Sequence, residues 1–279
     1  MLRAISEGER AFVSMGAKLG IREDGRGPKD QRRVEVATDV LPHLNGSARV
    51  KIADVVEVFC SVKAEVQPLE PHMAQRGMLE VSAEFSPSCN VKLDDRKLAS
   101  IGSDLSQQLQ SILLSSTEKV LEEHLVIISG RFCWCLHIDL LISRLNGDPL
   151  DACSMAIYAA LSVTKIPKLE PIMGVSGLLD DFEVVGNTDD ANSFPMYDVP
   201  ICITFVKIGS VFLVDASMSE HACATMALTI ATDRQNKCCG LFKLHGGGTF
   251  SEVELTMMLQ DAQRIIPIIF ARFDKCIME

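Results

Sequence analysis

Strand-like segments followed by a helix-like segment occur twice along this chain, and this order restricts its fold more than any other feature. In the first half, four valine-rich runs precede a segment in which apolar residues recur at helical spacing: Leu98, Ile101, Leu105, Leu109 and Ile112. In the second half, strand-like runs at 199–208, 210–216, 224–232 and 238–244 precede a final helix. The sequence therefore predicts an α+β fold in which two mixed sheets pack on helices.

Local signals give this outline its boundaries. Asn45-Gly46 predicts a hairpin turn between two of the early strands, and the wide apolar face of 148–163 predicts a second helix. Ser251, with Glu254 three residues later, predicts a capping box at the start of the final helix. Pro267 lies inside that helix, so we expect it to kink the helix or to end its first part.

The chain of 279 residues is long enough for one large or two medium domains. We expect a single domain over 1–279, with pseudo-repeat halves at about 20–165 and 196–279. The segment between them, 180–195, is acidic and lacks apolar periodicity. It is predicted to be a surface loop.

Charge and composition narrow the function classes. The net charge is −10 and the pI is about 5.1, so a free chain has no overall attraction to nucleic acid. The ten cysteines lie mostly in apolar patterns, which favours a reducing compartment. The sequence shows neither a signal peptide nor an apolar run of membrane-spanning length, so we expect a soluble, intracellular protein.

Five segments in the same order along the chain carry a resemblance to a known family. They are DGR at 24–26 with Arg32 after it, NGSARVK at 45–51, SVKAEV at 61–66, NGDPLDACSMA at 146–156 and LVDASMSE at 213–220. The chain resembles the RNase PH superfamily, and within it the ring subunits of the eukaryotic RNA exosome. The wording of these segments is most similar to the ribosomal-RNA-processing forty-two lineage. The resemblance implies an RNase PH-like fold of duplicated sheets and helices.

Two departures from the family pattern bear on catalysis. Phosphorolytic members are similar to this chain at Asp215 but carry further acidic residues six and twelve positions later, where this chain has His221 and Ala227. They also hold phosphate with a Gly-Thr-Arg turn, whereas 147–150 reads Gly-Asp-Pro-Leu. The resemblance therefore implies a subunit without phosphorolytic activity, with Asp215 as a catalytic remnant.

The same residues also have plain structural interpretations. Asp215 closes a strand, so a turn or cap role is favoured over acid-base chemistry, and Asp148 suits a helix N-cap. His221 has no metal-ligating residue at a suitable spacing, and the glycines at 246–248 lack a phosphate-loop motif. The cysteines of Cys133-Trp134-Cys135 are expected in the core. We therefore expect no metal site and no cofactor.

The candidate RNA contacts are basic. Arg96 and Lys97 stand where the resemblance places channel-lining residues, and Lys63 and Arg76 are weaker candidates; a solvated surface is the alternative for each.

The implied partners are other RNase PH-like ring subunits, S1/KH cap subunits, a hydrolytic exonuclease and RNA held by the assembled complex, with no membrane. The implied locations are nucleus, nucleolus and cytoplasm. Two alternatives stay open: an active phosphate-dependent 3′ exoribonuclease, or a subunit that lends RNA contacts to a neighbour's active site.

Overall fold

A computed structural model describes residues 5–69, 76–90, 93–173, 179–184 and 191–278. In the first half the helices are α1 (Glu7–Leu19), α2 (Asp95–Ser116), α3 (Glu118–Glu123) and α4 (Pro149–Ser162). The strands are β1 (Val34–Thr38), β2 (Gly46–Ile52), β3 (Val56–Pro68), β4 (Met78–Phe85), β5 (Val126–Ile128) and β6 (Phe132–Arg144). They form one sheet in the order β1-β2-β3-β6-β4, with β5 paired to β6. The β4–β6 pair is parallel and the other pairs are antiparallel, so this sheet is mixed.

The second half contributes another sheet and the long final helix. Its elements are β7 (Lys165–Ile166), β8 (Leu169–Met173), β9 (Leu179–Val184), β10 (Asn192–Ser193), β11 (Ile201–Ile208), β12 (Val211–Val214), α5 (Met218–Cys223), β13 (Met226–Thr232), β14 (Cys238–His245) and α6 (Glu252–Met278). The second sheet has the order β12-β11-β13-β14 and is antiparallel throughout. The predicted α+β class is confirmed, with each strand block followed by helix.

The two sheets share one hydrophobic core, and α4 lies at its centre. This helix contacts β2 and β3 of the first sheet and β11 of the second. Residues 152–161 of α4 are all buried, including the ring of Tyr158. A helix that is apolar on every side requires cover on every side, and the two sheets with α6 supply it. Burial of α4 therefore fixes the position of its N-terminus, at Pro149, relative to the end of β12.

The Asn45-Gly46 hairpin prediction was right about the strands and wrong about the turn. β1 and β2 pair with Thr38 opposite Ala48, so the connection is longer than a two-residue turn, and Gly46 begins β2. The Asn45 side chain accepts from the amide of Ala64 at 2.8 Å. A Cβ on Gly46 would lie 2.2 Å from Thr164 Oγ1. The dipeptide is explained by this close packing against the end of α4 and not by turn conformation.

One further expectation is corrected, and one of the two outcomes expected at Pro267 is excluded. The acidic segment predicted as a loop over 180–195 contains part of β9 and all of β10, because β9 pairs with β8 and β10 pairs with β7; residues 185–190 lie outside the described residues. Of the two outcomes expected at Pro267, an end to the helix is excluded, since α6 continues through it to Met278. The predicted capping box is confirmed: Glu254 N donates to Ser251 Oγ, and Ser251 N donates to Glu254 Oε2.

Among the described residues, none of the helices combines the length and the apolarity needed to span a membrane.

Candidate functional site

Asp215, the acidic residue predicted as a catalytic remnant, follows β12 in the left-handed conformation with φ of 50°. Its carboxylate is surrounded by arginine donors. Arg26 Nη1 lies 3.0 Å from Oδ2, the backbone N of Arg32 lies 2.8 Å from Oδ2, and the Arg32 guanidinium donates to both oxygens. Two guanidinium groups thus neutralise the one acidic side chain that the family pattern retains. A metal ion at Asp215 would have to displace both of them.

A second, deeper ion pair holds the same turn in place. Arg22 donates through Nε to Glu220 Oε1 at 2.8 Å and through Nη2 to Oε2 at 2.7 Å, with both side chains almost fully buried. Arg22 also donates to the carbonyl oxygens of Val214 and Asp215. Glu220 in turn accepts from the amide of Ser217 and completes a capping box for α5. Arg22 and Arg26 therefore anchor the end of β12 from the same short segment.

The turn 147–150 stands where the resemblance places a phosphate-binding turn. It packs against Arg32 and the residues that follow β12. Arg32 Nη1 donates to the carbonyl of Asn146 at 3.0 Å, and a Cβ on Gly147, whose φ is 132°, would meet the carbonyl of Ala216 at 2.6 Å. Asp148 accepts from the amide of Leu150 at 2.9 Å, which is the predicted N-cap. Leu150 is buried in the core. No basic side chain points from these four residues toward a possible anion.

Two carboxyl groups lie at the start of α4, and burial favours the neutral form of each. Burial raises the pKa of Asp148 to about 6. Burial, and then the charge of Asp148, raise the pKa of Asp151 well above its ordinary value. Asp151 accepts from both the amide and the hydroxyl of Thr204, on the neighbouring strand β11. Of residues 147–150, only Asp148 has an ionisable side chain, so this turn supplies no positive charge for an anion.

The two later positions of the family pattern, His221 and Ala227, are also enclosed. His221 is buried in α5, and Ala227 is buried in β13, where it supports the small cluster beneath α1. The glycines at 246–248 form the entry to α6: Gly246 has φ of 95°, and Gly248 N donates to the carbonyl of Thr225 at 3.3 Å. Asp215 is thus held by ion pairs, and His221 and Ala227 are held by burial.

The basic candidates are dispersed and are not gathered in one site. Arg96 and Lys97 are exposed in the first turn of α2, where Lys97 makes a loose ion pair with Asp94 at 3.9 Å. Lys63 is on β3, where the hydrogen bond that it donates to Glu65 raises its pKa. Arg76 lies 3.7 Å from Glu118. Arg96 and Lys97 are therefore the least engaged pair of the four.

Sequence reasoning matched Arg26 and Arg32 to the family but did not foresee that they neutralise Asp215. Arg26 and Arg32 are close together in the sequence, but Asp215 lies more than 180 residues away from both. Sequence spacing therefore could not reveal the contact. The buried Arg22–Glu220 pair was missed for the same reason. Cys133 and Cys135 are buried, and Trp134, between them, faces the core on the other side of β6.

Family comparisons agree with this architecture. Residues 30–167 match domain 1 of the 3′ exoribonuclease family, known as the RNase PH family, and residues 198–265 match its domain 2. Together the two matches cover well over half of the chain. The chain belongs to the RNase PH, or 3′ exoribonuclease, family, as its sequence motifs predicted.

Particular relatives place it further within that family. An exosome complex component Rrp42 of Methanocella arvoryzae is 30% identical over 93% of both chains. A Dictyostelium discoideum protein provisionally named exosome complex exonuclease RRP42 is 26% identical over 87% of this chain and 88% of its own. A chain of the Archaeoglobus fulgidus exosome, solved with RNA bound to the active site, superposes with a TM-score of 0.79 at 26% identity, over 96% of this chain and 98% of that one. The motifs predicted the Rrp42 lineage, and the similar proteins carry that name.

Proposed function

We propose that this chain is a non-catalytic ring subunit of the RNA exosome, supporting 3′-to-5′ RNA processing and degradation as part of the wall around the RNA path. Its similarity to Rrp42 exosome components along nearly the whole chain supports assembly into such a ring. The proposal that it is not itself an enzyme rests mainly on one observation: Arg26 and Arg32 neutralise Asp215.

Phosphorolysis needs an attacking phosphate and a group that stabilises the developing charge. At the start of α4 this chain offers Asp148, Pro149 and the buried Leu150 in place of a threonine and an arginine. Proline also removes one amide donor from the helix N-terminus, which weakens the usual anion site there. The rival function, an active phosphate-dependent 3′ exoribonuclease, lacks both of its binding groups.

The test is phosphorolysis by the purified chain. With single-stranded RNA, inorganic phosphate and magnesium, we expect no release of nucleoside diphosphates above a blank, while an active RNase PH run in parallel releases them. Asp215→Asn should leave this blank value unchanged. Phosphate-dependent shortening by the wild type that disappears in Asp215→Asn would overturn the proposal.

We further propose that Arg96 and Lys97 contact the RNA backbone in the assembled ring. Both are exposed at the start of α2 and Lys97 has only a loose partner. Replacing both with glutamate should weaken RNA binding by the reconstituted complex and reduce the slope of log affinity against log salt, by about 0.7 for each lost contact with a single strand. Assembly of the complex, measured by size-exclusion chromatography, should be unaffected.

A matched control comes from α6, where Arg264 and Lys275 are also exposed and Arg264 likewise has only a loose partner, Asp261 at 4.0 Å. Arg264→Glu with Lys275→Glu makes the same change of charge at another surface. If both double variants lower the salt slope equally, the effect is one of net charge, and the contact at α2 is refuted. A selective loss in the α2 variant also favours the second function kept open, in which the chain lends RNA contacts to a neighbour's active site.

The proposed partners are the other RNase PH-like ring subunits, S1/KH cap subunits, a hydrolytic exonuclease and RNA within the complex. The proposed locations are nucleus, nucleolus and cytoplasm. Affinity purification of the endogenous protein followed by native mass spectrometry tests the partners, and fluorescence microscopy of the tagged chain tests the locations. Recovery of the chain without any ring subunit would refute the assembly proposed here.

A further inference from the structure

A group of metal-ligating side chains lies away from the catalytic remnant, on the outer face of the first sheet. Cys135 and His137 alternate along β6, so both side chains project to the face opposite the core residue Leu136. The parallel partner strand β4 places Glu80 directly beside His137. One ligand atom from each of Glu80, Cys135 and His137 lies within 4.8 Å of the others.

The contacts around His137 already resemble a ligand set. Its Nδ1 lies 3.1 Å from Glu80 Oε2, while its Nε2 lies 3.6 Å from Glu65 Oε2 on β3. Nε2 is buried and has no hydrogen-bond partner in the described part of the chain. Histidines that bind a metal through one ring nitrogen commonly donate the other N–H to a carboxylate, which orients the ring. Glu65 is placed to accept that proton.

We propose that Glu80, Cys135 and His137 bind a zinc ion, with Glu65 as the carboxylate that orients His137. The donor set decides the metal: thiolate and imidazole favour Zn²⁺ over Mg²⁺ or Ca²⁺, which prefer oxygen ligands only. Zinc bonds of about 2.0 to 2.3 Å place ligand atoms of a tetrahedral site about 3.5 Å apart, so small side-chain rotations close the set. A water molecule supplies the fourth ligand.

Charge balance is consistent with a divalent ion. Binding releases the Cys135 thiol proton to solvent and forms a thiolate–zinc bond, so Glu80, Glu65 and Cys135 then carry three negative charges. The zinc ion and Lys63, which pairs with Glu65 at 2.5 Å, carry three positive charges. Without a metal, burial and the nearby Glu80 carboxylate raise the pKa of Cys135 to about 12, so the thiol stays protonated. The site is open for entry, because the Glu80 side chain is 59% exposed.

The sequence predicted no metal site at Cys133 and Cys135 because both cysteines were expected to pack in the core. Strand pairing supplies the missing ligand from a residue 55 positions away from Cys135, which sequence spacing does not reveal. This site is independent of the proposed exosome role.

The experiment uses the full chain purified without a polyhistidine tag. After dialysis to remove loosely bound metal, inductively coupled plasma mass spectrometry should find about one zinc per chain. Replacing zinc with Co²⁺ should produce a thiolate charge-transfer absorption band. Glu80 is exposed, so Glu80→Gln should fold normally, and it should lower zinc affinity at least tenfold in competition with a chelator. Glu84 lies four residues further along the same face of β4, and Glu84→Gln should leave zinc affinity unchanged.

Variants of the buried ligand add a check against nonspecific thiol binding. Cys135→Ser should lose the cobalt band, whereas Cys133→Ser on the same face of β6, and Cys238→Ser with Cys239→Ser, should keep it. Glu65→Gln should keep the band but lower zinc affinity by about 10 to 100-fold, as expected for a group that acts through His137.

Three results would overturn the proposal. The first is a wild-type chain that holds only background zinc and gives no cobalt band. The second is an equal loss of metal in Cys133→Ser and Cys135→Ser. The third is equal zinc affinity in Glu80→Gln and Glu84→Gln.

Discussion

Asp148 gives the most quantitative prediction, because it caps α4 and is also titratable near neutral pH. Burial raises its pKa to about 6 from the ordinary value of 3.8. Below the lower value the carboxyl is neutral in both the folded and the unfolded chain and contributes no pH dependence. As pH rises toward 6, the unfolded chain loses the proton first, so the free energy of unfolding falls. Above 6 the loss is complete.

The difference of about two pH units corresponds to about 3 kcal/mol of stability lost between low and neutral pH. We take this as an upper limit, since the residue retains partial contact with solvent. Asn at this position can still accept from the amide of Leu150, so Asp148→Asn keeps the N-cap while it removes the titration. The variant should therefore gain stability relative to the wild type as pH rises from about 4 to about 7, by up to about 3 kcal/mol.

The assay is urea unfolding followed by circular dichroism at several pH values, with the difference between the variant and the wild type plotted against pH. Asp94→Asn is the control, since Asp94 occupies the N-cap position of α2 but is exposed and makes no side-chain capping bond. The gain in stability between about pH 4 and about pH 7 should be larger for Asp148→Asn than for this control. An equal gain in the two variants, or a difference for Asp148→Asn that falls as pH rises, would show that desolvation at the start of α4 does not govern this titration.

Two other predictions concern packing. Arg22→Met leaves Glu220 buried without its partner and should lower the free energy of unfolding by about 3 to 5 kcal/mol, measured by urea titration; a loss below about 1 kcal/mol would mean that the pair is dispensable. Gly46→Ala places a Cβ against Thr164 and the end of α4 and should cost about 1 to 3 kcal/mol, while Gly8→Ala, with open space around it, should cost nothing; equal effects would contradict the close approach.

Several features of this protein follow from its sequence alone. Side-chain periodicity is a local property, so the valine-rich strands, the amphipathic α2 and the wide apolar face of α4 could be predicted from runs of neighbouring residues. Caps are equally local, as Asp148 and the Ser251–Glu254 pair illustrate. The five family segments predicted the RNase PH family, which the comparisons confirm.

Tertiary structure decided which of these residues meet. Arg26 and Arg32 reach Asp215 across more than 180 residues, and Glu80 reaches His137 only through the register of β4 on β6. The role of Gly46 likewise depends on α4 lying against the start of β2. A sequence pattern records the preference of each segment for helix, strand or turn, but contact between distant segments depends on how their buried faces pack, so the pairing of charges at Asp215 and the ligand set at His137 appear only in the folded chain.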